Sequence, residues 1–422
     1  MDQGRPFHYT DNRLLCDDVD IAGLAGQYGT PLYVYSANQV SGRAALFQTS
    51  FADVPHVICY AVKANSSLAI LKMLAAQGCG FDIVSGGELA RVLAAGGPGV
   101  ASRVVFSGVG KTADEMDAAL EADILQFNVE SEPELELLAS RAAALGKTAR
   151  IALRVNPDVN AETHPYISTG LSAHKFGIGI ALARAVYARA AAMPSIEPTG
   201  VSVHIGSQIR QVEPFAEALA KTLSLVQELR SDGLNIRYVD AGGGLGIEYA
   251  DKPFDAAEQV AQYATALKTA IGSMDVHLLL EPGRFLVGQA GALITRVLYR
   301  KANGDKRFVI VDAGMNDLIR PALYQAHHEI IPVVQSPGAP EETADIVGPV
   351  CESGDFFARA RTLPETQQGD LLAILDAGAY GLSLSSNYNT RVRPAEVLVE
   401  GATARLVRRR ETYDELFAAE VF

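Results

Sequence analysis

From residue 57 onward, short β-branched apolar runs alternate with longer Ala- and Leu-rich stretches whose apolar positions return at helical spacing. The runs are Val57 to Val62, Phe81 to Val84, Val104 to Phe106, Ile124 to Val129, Ile151 to Val155, Thr199 to Ile205, Tyr238 to Ala241 and His277 to Leu280. The stretches between them predict helices over Leu68 to Gln77, Glu88 to Ala95, Thr112 to Ala122, Glu132 to Leu145, Ala181 to Ala192, Pro214 to Arg230 and Asp255 to Ile271. Thr112 with Glu115 reads as a capping box, and Gly78, Gly96, Gly146 and Gly233 read as helix stops. Strict β-α alternation with eight strands points to an α/β fold, a (β/α)8 TIM-like barrel, with a doubly wound sheet as the alternative.

After Arg284 the pattern changes to strand-like runs without helices between them: Ala292 to Tyr299, Arg307 to Val311, Glu329 to Val334, Leu371 to Leu375, Ala395 to Val399 and Thr403 to Val407. This predicts a second, mainly β domain. The N-terminal segment, with Leu32-Tyr33-Val34-Tyr35, has strand character and joins it, and Gln335 to Glu342 reads as a loop. The expected division is therefore 36–284 for the barrel and 1–35 plus 285–422 for the β domain.

In such barrels chemistry gathers at the C-terminal ends of the strands. Strand 1 ends at Lys63, strand 2 at Asp82 to Ser85, strand 6 at His204-Ile205-Gly206-Ser207, strand 7 at Gly242-Gly243-Gly244-Leu245-Gly246 and strand 8 at Glu281-Pro282-Gly283-Arg284. A lysine at the mouth of a buried strand can be desolvated, which frees its amine for Schiff-base chemistry. A solvated surface lysine is the plainer reading of Lys63 alone. The glycine run offers room and backbone N–H groups to an anion such as phosphate, and it lacks the G-x-G-x-x-G spacing of a dinucleotide site. Pyridoxal phosphate needs a lysine, phosphate donors, a flat side chain against its ring and a carboxylate facing its pyridine nitrogen. Glu281 suits the last of these. His327-His328 would point apart in a strand, and no metal site is expected.

Composition narrows the partners. The chain has 422 residues, a net charge of −13, 48% hydrophobic residues and four cysteines, Cys16, Cys59, Cys79 and Cys351. An acidic surface disfavours nucleic acid and anionic membranes, which need clustered cations. The cysteines show neither a C-x-x-C pair nor a disulfide framework, and no apolar run of membrane-spanning length or signal-peptide pattern occurs. A cytoplasmic enzyme is expected.

The motifs Y-A-V-K-A-N, H-I-G-S-Q, G-G-G-L-G, E-P-G-R and C-E-S-G-D, in this order across nearly the whole chain, resemble the diaminopimelate decarboxylases. These form the lysine-producing branch of the alanine-racemase-like, fold-type III pyridoxal phosphate decarboxylases. Thr163 to Gly170, His174-Lys175-Phe176-Gly177 and Ser386-Asn387-Tyr388-Asn389 resemble that family too. The resemblance implies decarboxylation of meso-2,6-diaminopimelate to L-lysine and CO2 with pyridoxal 5'-phosphate as cofactor. It implies that Lys63 carries the cofactor, His204 stacks on its ring and Glu281 pairs with the pyridine nitrogen. Asp82, Ser207, Gly242, Gly243, Gly244, Gly283 and Tyr380 join the cofactor site by the same resemblance. Arg284, Arg320 and Tyr324 would grip substrate carboxylate, with Arg284 alternatively reaching the phosphate. Cys351 would be the acid that reprotonates the α carbon, and Glu352 would contact the far end of the substrate, with Tyr380 nearby. A head-to-tail homodimer with sites shared across its interface is implied as well.

Each arginine also has a physical reading, since its planar fork binds a carboxylate at two points. Rival readings are a decarboxylase for ornithine, arginine or carboxynorspermidine, an alanine-racemase-like enzyme, and a non-catalytic pyridoxal phosphate-binding protein. In related ornithine enzymes an aspartate follows the cysteine, so Cys351-Glu352 favours the diaminopimelate branch.

Overall fold

The computed structural model describes residues 5–159, 175–250 and 252–421. The Thr163 to Gly170 motif and His174 lie outside the described residues. The chain divides into two compact units, one of Arg43–Gly246 with Ala256–Phe285 and one of Met1–Gly42, Ile247–Asp255 and Leu286–Phe422.

The barrel of the first is built of eight strands, β1 (His56–Ala61), β2 (Gly80–Ile83), β3 (Val104–Phe106), β4 (Gln126–Val129), β5 (Ala149–Asn156), β6 (Ile196–Val203), β7 (Tyr238–Asp240) and β8 (His277–Leu280), with the two-residue strand Ile178–Gly179 paired beside β5. Each pairs in parallel with the next, and β8 pairs with β1 through Leu278↔His56, Leu279↔Val57 and Leu280↔Ile58, which closes the predicted barrel. Strands covered on both faces need near-continuous apolar sequence, which is why the runs were legible. Ser85, Thr112 and Ser131, just beyond β2, β3 and β4, accept from the N–H groups of Glu88, Glu115 and Glu134 and start the following helices at the rim. The Thr112/Glu115 capping box is formed, and Glu115 also accepts from Gly86 N–H at 2.8 Å, tying two rim loops together.

One helix was not read from the sequence. Ala37–Ser50 precedes β1 and sets Phe47 edge-on to Tyr263 and Phe285. Its stripe of Val40, Ala44, Phe47 and Phe51 is buried and follows helical spacing, but Asn, Gln and Ser between those positions dilute the signal.

In the other unit Leu32–Ser36 lies between Gly291–Asn303, antiparallel, and Ala395–Glu400, parallel. The N-terminal segment thus belongs to the β unit, as expected. The sheet continues through Lys306–Val311 to two strands that the sequence did not suggest, Glu341–Val347 and Phe356–Pro364. The loop expected over Gln335 to Glu342 therefore ends earlier, because Glu341 already pairs with Pro364. A core of Phe7, Leu14, Ile21, Leu32, Ala292, Ile331, Ala373 and Val397 lies beneath. Among the described residues no helix is long and apolar enough to cross a membrane.

Candidate active site

Lys63 stands where β1 gives way to a 3-10 turn over Val62–Ala64, with both flanking residues buried. The Tyr60 hydroxyl donates to Asn65 O at 2.9 Å, and Ala61 N–H donates to Pro282 O at 3.1 Å. A Cβ at Gly283 would press on the Cβ atoms of Ala61 and Ala64 at 3.0 and 3.1 Å, so the E-P-G-R loop packs directly on the lysine turn. The register of β1 and β2 sets Ala61 opposite Asp82, and the Lys63 ammonium forms an ion pair with that wholly buried carboxylate. The amine is thus aimed by a neighbouring strand's acid, and the lysine side chain remains 35% exposed.

Beyond β6, His204 Nδ1 accepts from Gly243 N–H at 3.1 Å, and the ring lies 3.8 Å from Glu281. Burial, reinforced by the charges of Arg154 and Lys63, holds the imidazole well below its usual pKa, so it is a neutral flat surface. Glu281 is buried against Asp240, to which its carboxyl is hydrogen bonded, and burial followed by the charges of Asp240 and Asp82 pushes it well above the carboxylate range. Burial likewise raises Asp240 to about 6.

Asp240, Asn128 and Ser107 complete this group, and the sequence reading missed them. Asn128 Nδ2 donates to Asp240 Oδ2 at 2.8 Å and lies 3.1 Å from Ser107 Oγ. The signal was present in Gln126-Phe127-Asn128-Val129, because polar residues at alternate positions of a strand covered on both faces must point inward. Arg154 Nη1 donates to Glu130 at 3.2 Å, a second buried pair on the same rim.

The glycine loop is shaped by contact. A Cβ at Gly242 would strike Val203 O, one at Gly243 the carbonyl of Glu281, and one at Gly244 that of Gly206. Gly242 and Gly244 also take φ of +70° and +111°. Two of the three N–H groups expected to face phosphate are engaged inside the chain: Gly242 donates to Asp240 and Gly243 to His204. Ile209 N–H donates to Gly244 O and Gly246 N–H to Ile209 O, each at 2.9 Å, lacing this loop to the one after β6. There Ser207 Oγ accepts from Arg284 Nη2 at 3.1 Å.

The β unit carries the remaining residues. Arg320 and Tyr324 begin and end the short helix Arg320–Tyr324. Arg320 is buried, donates to His328 Nε2 at 2.8 Å and has its guanidinium 4.5 Å from the ring centre of Tyr249. His328 Nδ1 donates to Leu375 O, which fixes the neutral tautomer with Nε2 as acceptor. Cys351 and Glu352 lie exposed in a loop held by Asp355, which accepts from Met315 and Val350 N–H groups at 2.6 Å. Cys351 N–H donates to Asn389 Oδ1 at 3.0 Å, giving the S-N-Y-N motif a structural task. Tyr380 follows the turn of Asp376, which pairs with Arg5 at 2.8 Å.

Residues 37–288 match the family described as pyridoxal-dependent decarboxylase, pyridoxal binding domain. The chain is 52% identical to the diaminopimelate decarboxylase of Pseudomonas aeruginosa over 98% of each chain. It belongs to the diaminopimelate decarboxylase family. The structure of diaminopimelate decarboxylase from M. jannaschii in co-complex with L-lysine is similar with a TM-score of 0.93 and 40% identity, covering 100% of this chain and 99% of that one. That of the Helicobacter pylori enzyme complexed with L-lysine is similar with a TM-score of 0.89 and 42% identity, covering 94% and 98%. Members of the diaminopimelate decarboxylase family are carboxy-lyases that use pyridoxal phosphate. The described residues fit that group: a neutral imidazole, a buried acid pair and an amine aimed by an acid. Asp82 Oδ1, buried and without a hydrogen-bond partner among the described residues, is a further acceptor on this rim.

Proposed function

We propose that this chain decarboxylates meso-2,6-diaminopimelate to L-lysine and CO2 with pyridoxal 5'-phosphate, the closing step of lysine biosynthesis. The observation that carries the reading is the convergence on one barrel rim of Lys63 with Asp82 and of His204 with Glu281. When bound, the cofactor supplies an electron-withdrawing ring that accepts the electron pair left by the departing carboxylate. Lys63 Nζ would hold the cofactor, with Asp82 orienting the amine. Glu281 would face the ring nitrogen, and His204 would cover one ring face and keep water from it. Ser207, Tyr380 and the loop of Gly242, Gly243 and Gly244 would border the phosphate, which the Gly242 and Gly243 N–H groups would reach only by leaving Asp240 and His204, while Gly283 keeps the lysine turn close.

Arg284, Arg320 and Tyr324 hold carboxylate, and the contact of Arg284 with Ser207 supports a share of Arg284 in the phosphate site. Glu352 pairs with the distal ammonium. Cys351 Sγ delivers the proton that replaces CO2 on the reacting carbon. In a head-to-tail homodimer Cys351 and Glu352 serve the neighbouring subunit's site, and their exposure on this chain supports that assignment. The cofactor domain is taken as 36–284 and the substrate and dimer domain as 1–35 plus 285–422. Four free cysteines support a reducing, cytoplasmic setting.

Purified full-length chain with pyridoxal phosphate and meso-diaminopimelate should form lysine and CO2 in equal amounts. Ornithine and arginine, run alongside, should react on the order of a thousandfold less efficiently, because a site with paired cations penalises a missing carboxylate. Preference for either of them would assign the chain to another substrate.

A further inference from the structure

We propose that Asp240 is a positioning residue that holds one proton in common with Glu281 before the cofactor is loaded, then stays ionised behind Glu281 and keeps the ring nitrogen protonated. This rests on the assignment of Glu281 to that nitrogen.

The donors around the two carboxyls are unequal. Asp240 receives Gly242 N–H at 2.9 Å, Asn128 Nδ2 at 2.8 Å and Ser202 Oγ at 3.4 Å. Among the described residues, Glu281 receives long contacts, from Asn128 Nδ2 and Ser107 Oγ at 3.4 Å each. Asn128 is itself oriented by Gln126 Nε2, which donates to its Oδ1 at 2.9 Å. Asp240 is thus solvated by protein as an anion, whereas Glu281 is placed as the acid that donates to it. Two buried carboxylates in contact cannot both ionise cheaply, so the pair keeps one proton. The other groups near Glu281 do not supply the missing cation. Lys63 is engaged by Asp82, His204 is neutral, and the Cys59 thiol and Tyr263 phenol are held protonated by burial. A ring N–H beside Glu281 would let it ionise. The proton that Glu281 gives up moves to the ring nitrogen or, where that nitrogen arrives protonated, leaves to solvent. Asp240 then adds a second negative charge facing the cation.

The test has two arms on the full-length protein. Infrared difference spectra of the wild type with carboxyl-labelled Asp and Glu should show the C=O stretch of a protonated carboxyl at neutral pH without cofactor, lost on adding pyridoxal phosphate. With pyridoxal phosphate labelled with 15N in the ring, the 15N shift should report a protonated nitrogen in the wild type. In Asp240→Asn the pH midpoint for losing that proton should fall by about one unit, a tenfold loss of proton affinity. A wild-type ring nitrogen without a proton overturns the assignment of Glu281 and this proposal with it. A protonated wild-type nitrogen with an unmoved midpoint in Asp240→Asn overturns the role of Asp240 alone. The wild-type infrared arm decides the matter if Asp240→Asn does not fold: absence of the carboxyl band overturns the shared proton.

Discussion

Replacing Lys111 with Met should destabilise the barrel by about 3 kcal/mol, near the lower end of what breaking a buried ion pair costs. Lys111 has no exposed side-chain surface. Its ammonium donates to Gly108 O and Asn128 O at 2.8 Å each and to Glu134 at 2.7 Å. Met keeps the stem and its packing but removes all three donors, leaving Glu134 with the Glu130 N–H at 3.1 Å. Burial already raises the Glu134 carboxyl above the ordinary range, so in the variant it takes up a proton, which limits the penalty. The double variant Lys111→Met, Glu134→Met exchanges the pair for apolar volume and should recover at least about half of the loss. Urea unfolding of cofactor-free protein measures both. A single-variant cost under about 1 kcal/mol, or a double variant no better than the single, would refute the reasoning. Cofactor affinity should also weaken, because Gly108 N–H donates to Glu130, the partner of Arg154, and Asn128 bridges the acid pair.

Four further outcomes are expected. Lys63→Ala should lose both the visible absorbance of bound cofactor and turnover, and retained activity would remove the lysine from the reaction. Cys351→Ala should bind cofactor normally yet decarboxylate at least about a hundredfold more slowly, the usual scale of a lost proton donor, so an unchanged rate would reassign the acid. Gly243→Ala drives a Cβ into the Glu281 carbonyl and should cost about 1–3 kcal/mol, measured against Gly99→Ala, where nothing lies within 4 Å. For the cofactor-free enzyme, Asp240 at about 6 binds its proton more tightly in the folded state than in the unfolded chain, where aspartate titrates near 3.9. Asp240 should therefore contribute a loss of roughly 3 kcal/mol as pH rises from about 4 to about 6, beside the loss that Glu281 adds, and unfolding curves of Asp240→Asn should fall less steeply over that range.

The barrel was readable because its strands are apolar throughout and its helices are punctuated by Ser, Thr and Gly. The helix Ala37–Ser50 escaped because half of its stripe is Ala and Val among polar neighbours. Glu341–Val347 and Phe356–Pro364 escaped because Glu341, Glu342 and Asp345 interrupt the first and Arg359 and Arg361 the second, so neither reads as an apolar run. At the site, Lys63, His204 and Glu281 could be named because each follows a strand. The acid beside Lys63 and the one behind Glu281 depend on neighbouring strands, Ala61 against Asp82 and Asp240 against Leu279, and that register is written in no local pattern.

The hydrogen bond from Ala61 to Pro282 joins the first and last turns of the barrel rim. A ribosome adding about 5–20 residues per second needs roughly 10–45 s to make the stretch between them, and until then the lysine turn has nothing to rest on. Cofactor capture therefore cannot precede synthesis of the last barrel strand: vitamin supply can stabilise the closed cylinder but cannot guide the earlier nascent chain toward it.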